Sequence, residues 1–253
     1  MFVVIIGWVF FRSPRFIDAA RNFDMVWQSW IMVVDGRVIV VDPCTGNGRN
    51  FPDFQMAHML NTPYIERFAA TGIKPEDVDY VFCTHLHMDH CGWNTHLRNG
   101  RYVPTFPNAR YIMVKREFDR WDSRLPGHKA IPQNAGVFEN SVLPVVEAGL
   151  AEIVSDRHSI TPNLLVEPAY GHTAGHSLLQ VNAGAEQAYF VGDAFHHPLE
   201  FIHPDLDDHT SEDPSQTGKT RHRIIDTCVA KHALIVPAHF PCAFGGHITR
   251  ENK

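Results

Sequence analysis

The chain has 253 residues, 44% of them apolar, which is enough to bury a substantial core. Its 22 Lys and Arg stand against 28 Asp and Glu for a net charge of −6, so no basic stripe is available to coat a nucleic acid. No stretch reads as a linker, and residues 1–253 are expected to form one layered domain.

Residues 1–11 are apolar but too short to span a bilayer, and no basic segment precedes them. They predict a buried strand, with a trimmed signal segment as the alternative. Residues 31–43 hold two β-branched runs around Asp35-Gly36, a strong hairpin signal. The second run ends at Asp42, which either caps the turn or contacts the back of a metal-binding histidine. Residues 62–72 predict a helix ending at Gly72, and residues 78–83 a strand. From the end of that strand hangs Thr84-His85-Leu86-His87-Met88-Asp89-His90.

Residues 93–135 mix Trp93, Tyr102, Phe106, Tyr111, Phe118 and Trp121 with Arg, Pro and Asn. A strand at 111–114 and a helix at 115–121 joined by loops fit the pattern, and the aromatic side chains either fill a core or wall a pocket over a site. Residues 141–148 predict a helix stopped by Gly149. Strands at 178–181 and 188–191 form a hairpin around 182–184, with His172 before it and Asp193 at its end. A helix over 213–232 leads to a last buried strand at 233–236, which delivers His239. Residues 245–253 begin a further strand, with His247 read as a surface residue.

Five cysteines, Cys44, Cys83, Cys91, Cys228 and Cys242, form an odd set with no CxxC pair. That suits free thiols and a cytoplasmic location, with a periplasmic enzyme as the alternative.

The chemistry concentrates in the His85–His90 segment. Two imidazoles spaced two apart point the same way on extended or tightly turning backbone, and Asp89 and His90 follow at once. One ion cannot take all four donors from so short a segment, because a tetrahedral site needs ligands from several directions. The segment therefore reads as half of a two-metal site, and His172, Asp193 and His239, each at a strand end, are candidates for the other half.

The motif His85-x-His87-x-Asp89-His90, then Gly171-His172-Thr173-Ala174-Gly175-His176, Gly192-Asp193 and His239, resembles the metallo-β-lactamase-fold hydrolase superfamily over nearly the whole chain. The resemblance implies an α/β, four-layer αββα sandwich of two mixed β-sheets. It places His85, His87 and His172 on one metal, Asp89, His90 and His239 on a second, and Asp193 between them. The cofactors implied are two divalent ions, zinc first, with iron, manganese or cobalt also suited to such donors. A hydroxide held between the two would attack an ester-like or phosphoryl centre, with Asp89 passing a proton to the leaving group.

Among branches, the bridging Asp193 disfavours β-lactam cleavage, and His87 stands where the diiron flavoproteins carry Glu. Glyoxalase II-like thioesterases read Gly-Gly where this chain has Cys91-Gly92-Trp93. Quorum-quenching lactonases place a Tyr three residues after the bridging Asp, where this chain has His196. His196 is thus a candidate catalytic residue, for orienting the substrate oxygen or giving a proton. Trp93 and His197 are candidate pocket residues, and His176 a structural histidine behind the ligand loop. The sequence most resembles the lactonase and methyl-parathion-hydrolase-like branch. The activity expected is hydrolysis of a lactone or other carboxylic ester, with phosphotriester or phosphodiester cleavage as the alternative and a non-catalytic scaffold ranked lower. The expected partner is a small-molecule substrate, with neither nucleic acid nor membrane, and a homodimer is compatible with the sequence.

Overall fold

The computed structural model describes residues 2–8, 16, 24–129, 131–206, 209–241 and 245–250. The chain divides into two units, Met1–Gly7 with Gln28–Val154, and Trp8–Trp27 with Ser155–Lys253. Each is built on a six-stranded mixed sheet.

In the first unit the strands are β1 (Phe2–Trp8), β2 (Trp27–Val34), β3 (Arg37–Val41), β4 (Tyr80–Phe82), β5 (Thr95–Arg98), β6 (Arg101–Pro104), β7 (Arg110–Val114) and β8 (Ala151–Val154). The sheet order is β1-β2-β3-β4-β7-β8, and β5 with β6 form a separate ribbon. The Asp35-Gly36 signal is borne out: both residues have positive φ, 54° and 71°, and Val34 pairs with Arg37 across a two-residue turn. Next, β3, β4, β7 and β8 run parallel. Parallel strands are covered on both faces, and accordingly Ile39, Val40, Val81, Phe82, Tyr111 and Ile112 are all buried.

In the second unit β9 (His158–Thr161), β10 (Leu164–Pro168), β11 (Ser177–Ala183), β12 (Glu186–Gly192), β13 (Leu234–Pro237) and β14 (Gly246–His247) lie in the order β14-β13-β12-β11-β10-β9. Only the β12–β13 pair is parallel. The crossover between them is the helix Pro214–Lys231, whose Asp213 cap accepts the Gln216 N–H and whose end is a left-handed His232. Its buried positions Thr217, Arg221, Ile224, Ile225 and Cys228 recur at helical spacing. Ile224 and Cys228 pack with Leu178, Val191, Phe195 and Ile235 in this unit's core.

Several elements differ from the sequence reading. Residues 141–148 do not form one regular helix: a π-turn over Phe138–Val142 precedes a short helix Leu143–Glu147. Pro144 has no N–H for the carbonyl of Asn140, four residues back, and that carbonyl instead accepts from Thr95 Oγ1 and Arg49 Nη1. The β5–β6 ribbon turns at Asn99-Gly100, both left-handed, a hairpin dipeptide unread among the aromatic residues. Strands β8 and β9 were likewise not foreseen, being short and largely half-exposed. The remainder of the N-terminal apolar run, Cys242 and residues 251–253 lie outside the described residues. Among those described, no helix is long and apolar enough to cross a membrane.

Candidate metal centre

At the end of β4 the chain turns past Asp42, which sits at the end of the neighbouring strand with φ 48°. Asp42 Oδ1 accepts the Thr84 N–H at 2.7 Å, Oδ2 accepts Thr84 Oγ1 at 2.8 Å, and Oδ2 lies 3.0 Å from His90 Nδ1. Between the two readings open for Asp42, the contact behind a histidine is therefore realised. With Nδ1 of His90 turned to a carboxylate, its Nε2 faces away, 3.7 Å from Asp89 Oδ2.

His85 and His87 converge: His85 Nε2 lies 3.0 Å from His87 Nδ1, while His85 Nδ1 meets Thr84 Oγ1 at 3.1 Å. Two nitrogens bound to one tetrahedral ion at 2.0–2.1 Å would stand roughly 3.3 Å apart, so this spacing suits neighbouring ligands. His87 caps the short helix Met88–Cys91, which turns Asp89 and His90 to the following positions. Cys91 Sγ donates to the His87 carbonyl at 3.2 Å. Gly92 admits no side chain, since a Cβ there would lie 2.2 Å from Gly46 N. Arg49, buried, holds the next stretch by donating to the Gly92 and Thr95 carbonyls at 2.6 and 2.9 Å.

In the aromatic stretch Trp93, Phe106, Tyr111 and Trp121 are all buried. Trp93 is buried and stacks on Tyr64 at 4.8 Å and 14°, and Phe106 and Tyr111 are core residues. Trp93 also borders a cleft of about 670 Å³ with Met59, Leu60, Ile65 and Leu97. Trp121 instead stands edge-on to His87, with ring centroids 5.2 Å apart.

In the second unit Asp193, at the end of β12, is a hub. Nε2 atoms of His172, His196 and His239 lie 3.4, 3.1 and 3.1 Å from its Oδ2. Donor atoms of His172, Asp193 and His196 all fall within 4.8 Å of one another, a group able to hold a cation. Each partner is anchored. Gly171 before His172 has φ 131°, and a Cβ there would stand 2.3 Å from Thr217 N. His176 Nε2 accepts the Asp193 N–H at 3.0 Å while Nδ1 meets the Ala169 carbonyl at 3.0 Å, which fixes a neutral tautomer with a structural task. Glu200 Oε2 accepts the N–H groups of His196 and His197, and its Oε1 pairs with buried Arg221 at 2.6 Å. Arg221 in turn donates to the Ala194 and Leu206 carbonyls, each at 2.7 Å. Neither Glu200 nor Arg221 was singled out from sequence, because a lone Glu and a lone Arg carry no spacing signal. His197 is held by backbone groups of other residues: Nδ1 accepts the Leu199 N–H at 3.1 Å, leaving Nε2–H for the Phe16 carbonyl at 3.2 Å. Burial holds its pKa below the ordinary histidine value.

The donor chemistry tests whether these residues fit a cation. His239 Nδ1 lies 2.9 Å from the Val26 carbonyl, which can only accept, so Nδ1 carries a proton. In neutral His239 the Nε2 lone pair then points at the Asp193 carboxylate, 3.0 Å from Oδ1. Lone pair against carboxylate is repulsive unless a proton or a metal ion lies between them. Imidazole nitrogen and carboxylate oxygen are the donors that zinc, iron, manganese and cobalt accept, and the residues fit such ions.

Four described cysteines, Cys44, Cys83, Cys91 and Cys228, are buried free thiols, as the odd count suggested.

The sequence pattern of the metallo-beta-lactamase superfamily matches residues 25–239. In three dimensions the chain is similar to hydrolase AbOPH in the beta lactamase superfamily, with 22% identity and a TM-score of 0.75 over 92% of this chain and 78% of that one. It is also similar to AidC, a dizinc quorum-quenching lactonase, with 19% identity and a TM-score of 0.73 over 92% and 79% of the two chains. These likenesses carry the fold: two mixed sheets with flanking helices. In sequence, the N-acyl homoserine lactonase AttM of Azorhizobium caulinodans is 38% identical over 55 residues, 22% of this chain and 18% of that protein. With its two mixed sheets, its His and Asp clusters at strand ends and a match across residues 25–239, the chain belongs to the metallo-beta-lactamase superfamily.

Proposed function

We propose that the chain is a dinuclear metal-dependent hydrolase of lactones or other carboxylic esters. In this reading His85, His87 and His172 hold one ion, Asp89, His90 and His239 the other, and Asp193 is shared. The observation that carries it is the anchored imidazole of His239 facing the Asp193 carboxylate, donors that a shared metal ion would satisfy in place of a proton. When bound, two divalent cations supply Lewis acidity and a water acidic enough to react near neutral pH.

The chain's own residues then divide the remaining work. Asp42 and the Val26 carbonyl keep the Nδ1 protons of His90 and His239 in place, which leaves each Nε2 as a donor. Asp89, in the first turn of a short helix, would carry a proton to the leaving oxygen. His196 stands beside Asp193 where lactonases of this superfamily carry a tyrosine, and it orients the substrate oxygen or donates to it. The ester and lactone class is supported by the lactonases among the similar proteins.

The test is metal analysis of the purified chain followed by a panel of lactones, aryl esters and phosphotriesters on zinc-, manganese- and cobalt-loaded protein. About two ions per chain, activity abolished by a chelator, and a preference for lactones or esters are expected. A folded chain that takes up no metal overturns the reading, and a preference for phosphotriesters overturns its substrate class.

A further inference from the structure

Leu86 separates His85 from His87, so the orientation of its two peptide groups sets how the two imidazoles diverge. Both groups are gripped by side chains from outside the loop. Glu117 Oε1 accepts the Leu86 N–H at 3.0 Å and the Trp121 indole N–H at 2.6 Å. Asn134 Nδ2 donates to the Leu86 carbonyl at 3.0 Å. The same Trp121 stands edge-on to His87, at 71° between ring planes. Glu117 is only 2% exposed and Asn134 7%.

A buried carboxylate is costly to desolvate, and here that cost is offset by two N–H groups, of Leu86 and Trp121, that it satisfies at one oxygen. What a fixed acceptor adds is direction. It holds one peptide N–H and one indole N–H at the same point, so the Leu86 backbone and the ring packed on His87 cannot move independently. Asn134 grips the next peptide group, through the Leu86 carbonyl. The helix Lys115–Trp121 and the turn Pro132–Asn134, which carry these groups, belong to the aromatic stretch whose role the sequence left open.

We propose that Glu117 and Asn134 are positioning residues that clamp Leu86 and thereby set the metal affinity of the His85–His87 pair. The proposal rests on the two-metal reading above. Neither residue is assigned a contact with metal or substrate; both act through the backbone between the two ligands. Moving a supporting contact of this kind typically weakens a metal site by 10- to 100-fold.

The experiment is a competition titration of the metal-free full chain with zinc against a chromophoric chelator, repeated with cobalt to read its visible spectrum. Thermal unfolding of each metal-free variant serves as the folding control. Glu117→Gln keeps an acceptor oxygen, and its weaker zinc dissociation constant is expected within about threefold of the parent's. Glu117→Leu removes the acceptor, and one of the two ions is expected to bind at least tenfold more weakly, with an altered cobalt spectrum. Asn134→Ala, which leaves the helix intact, is expected to weaken the same ion by a smaller factor. Unchanged zinc affinity in both Glu117→Leu and Asn134→Ala overturns the clamp while leaving the two-metal reading standing. A parent chain that binds no zinc overturns both. If Glu117→Leu does not fold, Asn134→Ala decides: unchanged affinity and an unchanged cobalt spectrum overturn the proposal.

Discussion

Nε2 of His239 lies 3.0 Å from Oδ1 and 3.1 Å from Oδ2 of Asp193, so one imidazole nitrogen faces both oxygens of one buried carboxylate. Asp193→Asn keeps the shape and removes the charge. Its metal content after dialysis is expected to fall from about two ions to one or none, and hydrolysis to fall at least a hundredfold, read by metal analysis and steady-state kinetics.

Asp42 touches three groups of the cluster loop: the Thr84 N–H, the Thr84 hydroxyl and His90 Nδ1. Asp42→Ala removes the acceptor of the buried Thr84 N–H and of His90 Nδ1, and with it the contact that orients the His90 ring. A 10- to 100-fold loss of metal affinity is expected, together with a lower unfolding midpoint, by zinc titration and calorimetry.

His196 is expected to act on the substrate and not on retention of metal. In His196→Ala, kcat for the preferred ester should fall about tenfold or more while the ion count stays unchanged. Loss of an ion in that variant would instead make His196 a ligand, in keeping with its place in the His172, Asp193, His196 group.

Gly171 combines a φ of 131° with a Cβ position 2.3 Å from Thr217 N and 2.4 Å from Thr217 Oγ1. Gly171→Ala must push the loop carrying His172 off the helix Pro214–Lys231. About 3 kcal/mol of destabilisation is expected, or a fall in Tm of roughly 5–10 °C by calorimetry, with metal affinity lowered in parallel.

Burial, as the largest cause, raises the pKa of the Cys44, Cys83, Cys91 and Cys228 thiols, that of Cys228 from 9.0 to about 11. A thiol of raised pKa binds its proton more tightly in the folded state, so its stability contribution is complete below pH 9. Above that the unfolded chain ionises first, and for Cys228 the contribution declines until about pH 11. Denaturant midpoints are therefore expected to fall steadily above pH 9, with a shallower slope in Cys228→Ala. Thiol-specific reagents at pH 8 should leave these four residues unlabelled until the chain is unfolded.

The sequence by itself determined the local features. β-Branched runs and Asp35-Gly36 mark a hairpin whose hydrogen bonds close locally, and the histidine motif is legible because its four donors fall within six residues. Asp42 and His239 could be named because each follows a readable strand, and His176 because it belongs to the Gly171–His176 motif. What only the tertiary structure decided are the contacts between segments far apart in sequence. Glu117 on Leu86, Arg221 on Glu200 and Thr95 on the Asn140 carbonyl join residues 15 or more positions apart, and nothing local distinguishes those side chains from solvated ones. The Asn99-Gly100 ribbon was missed because its strands show no clean alternation, His96 and the strongly exposed Leu97 interrupting it. Burial supplies the reason in each case: a carboxylate or guanidinium acquires a fixed partner only once the fold has removed water from around it.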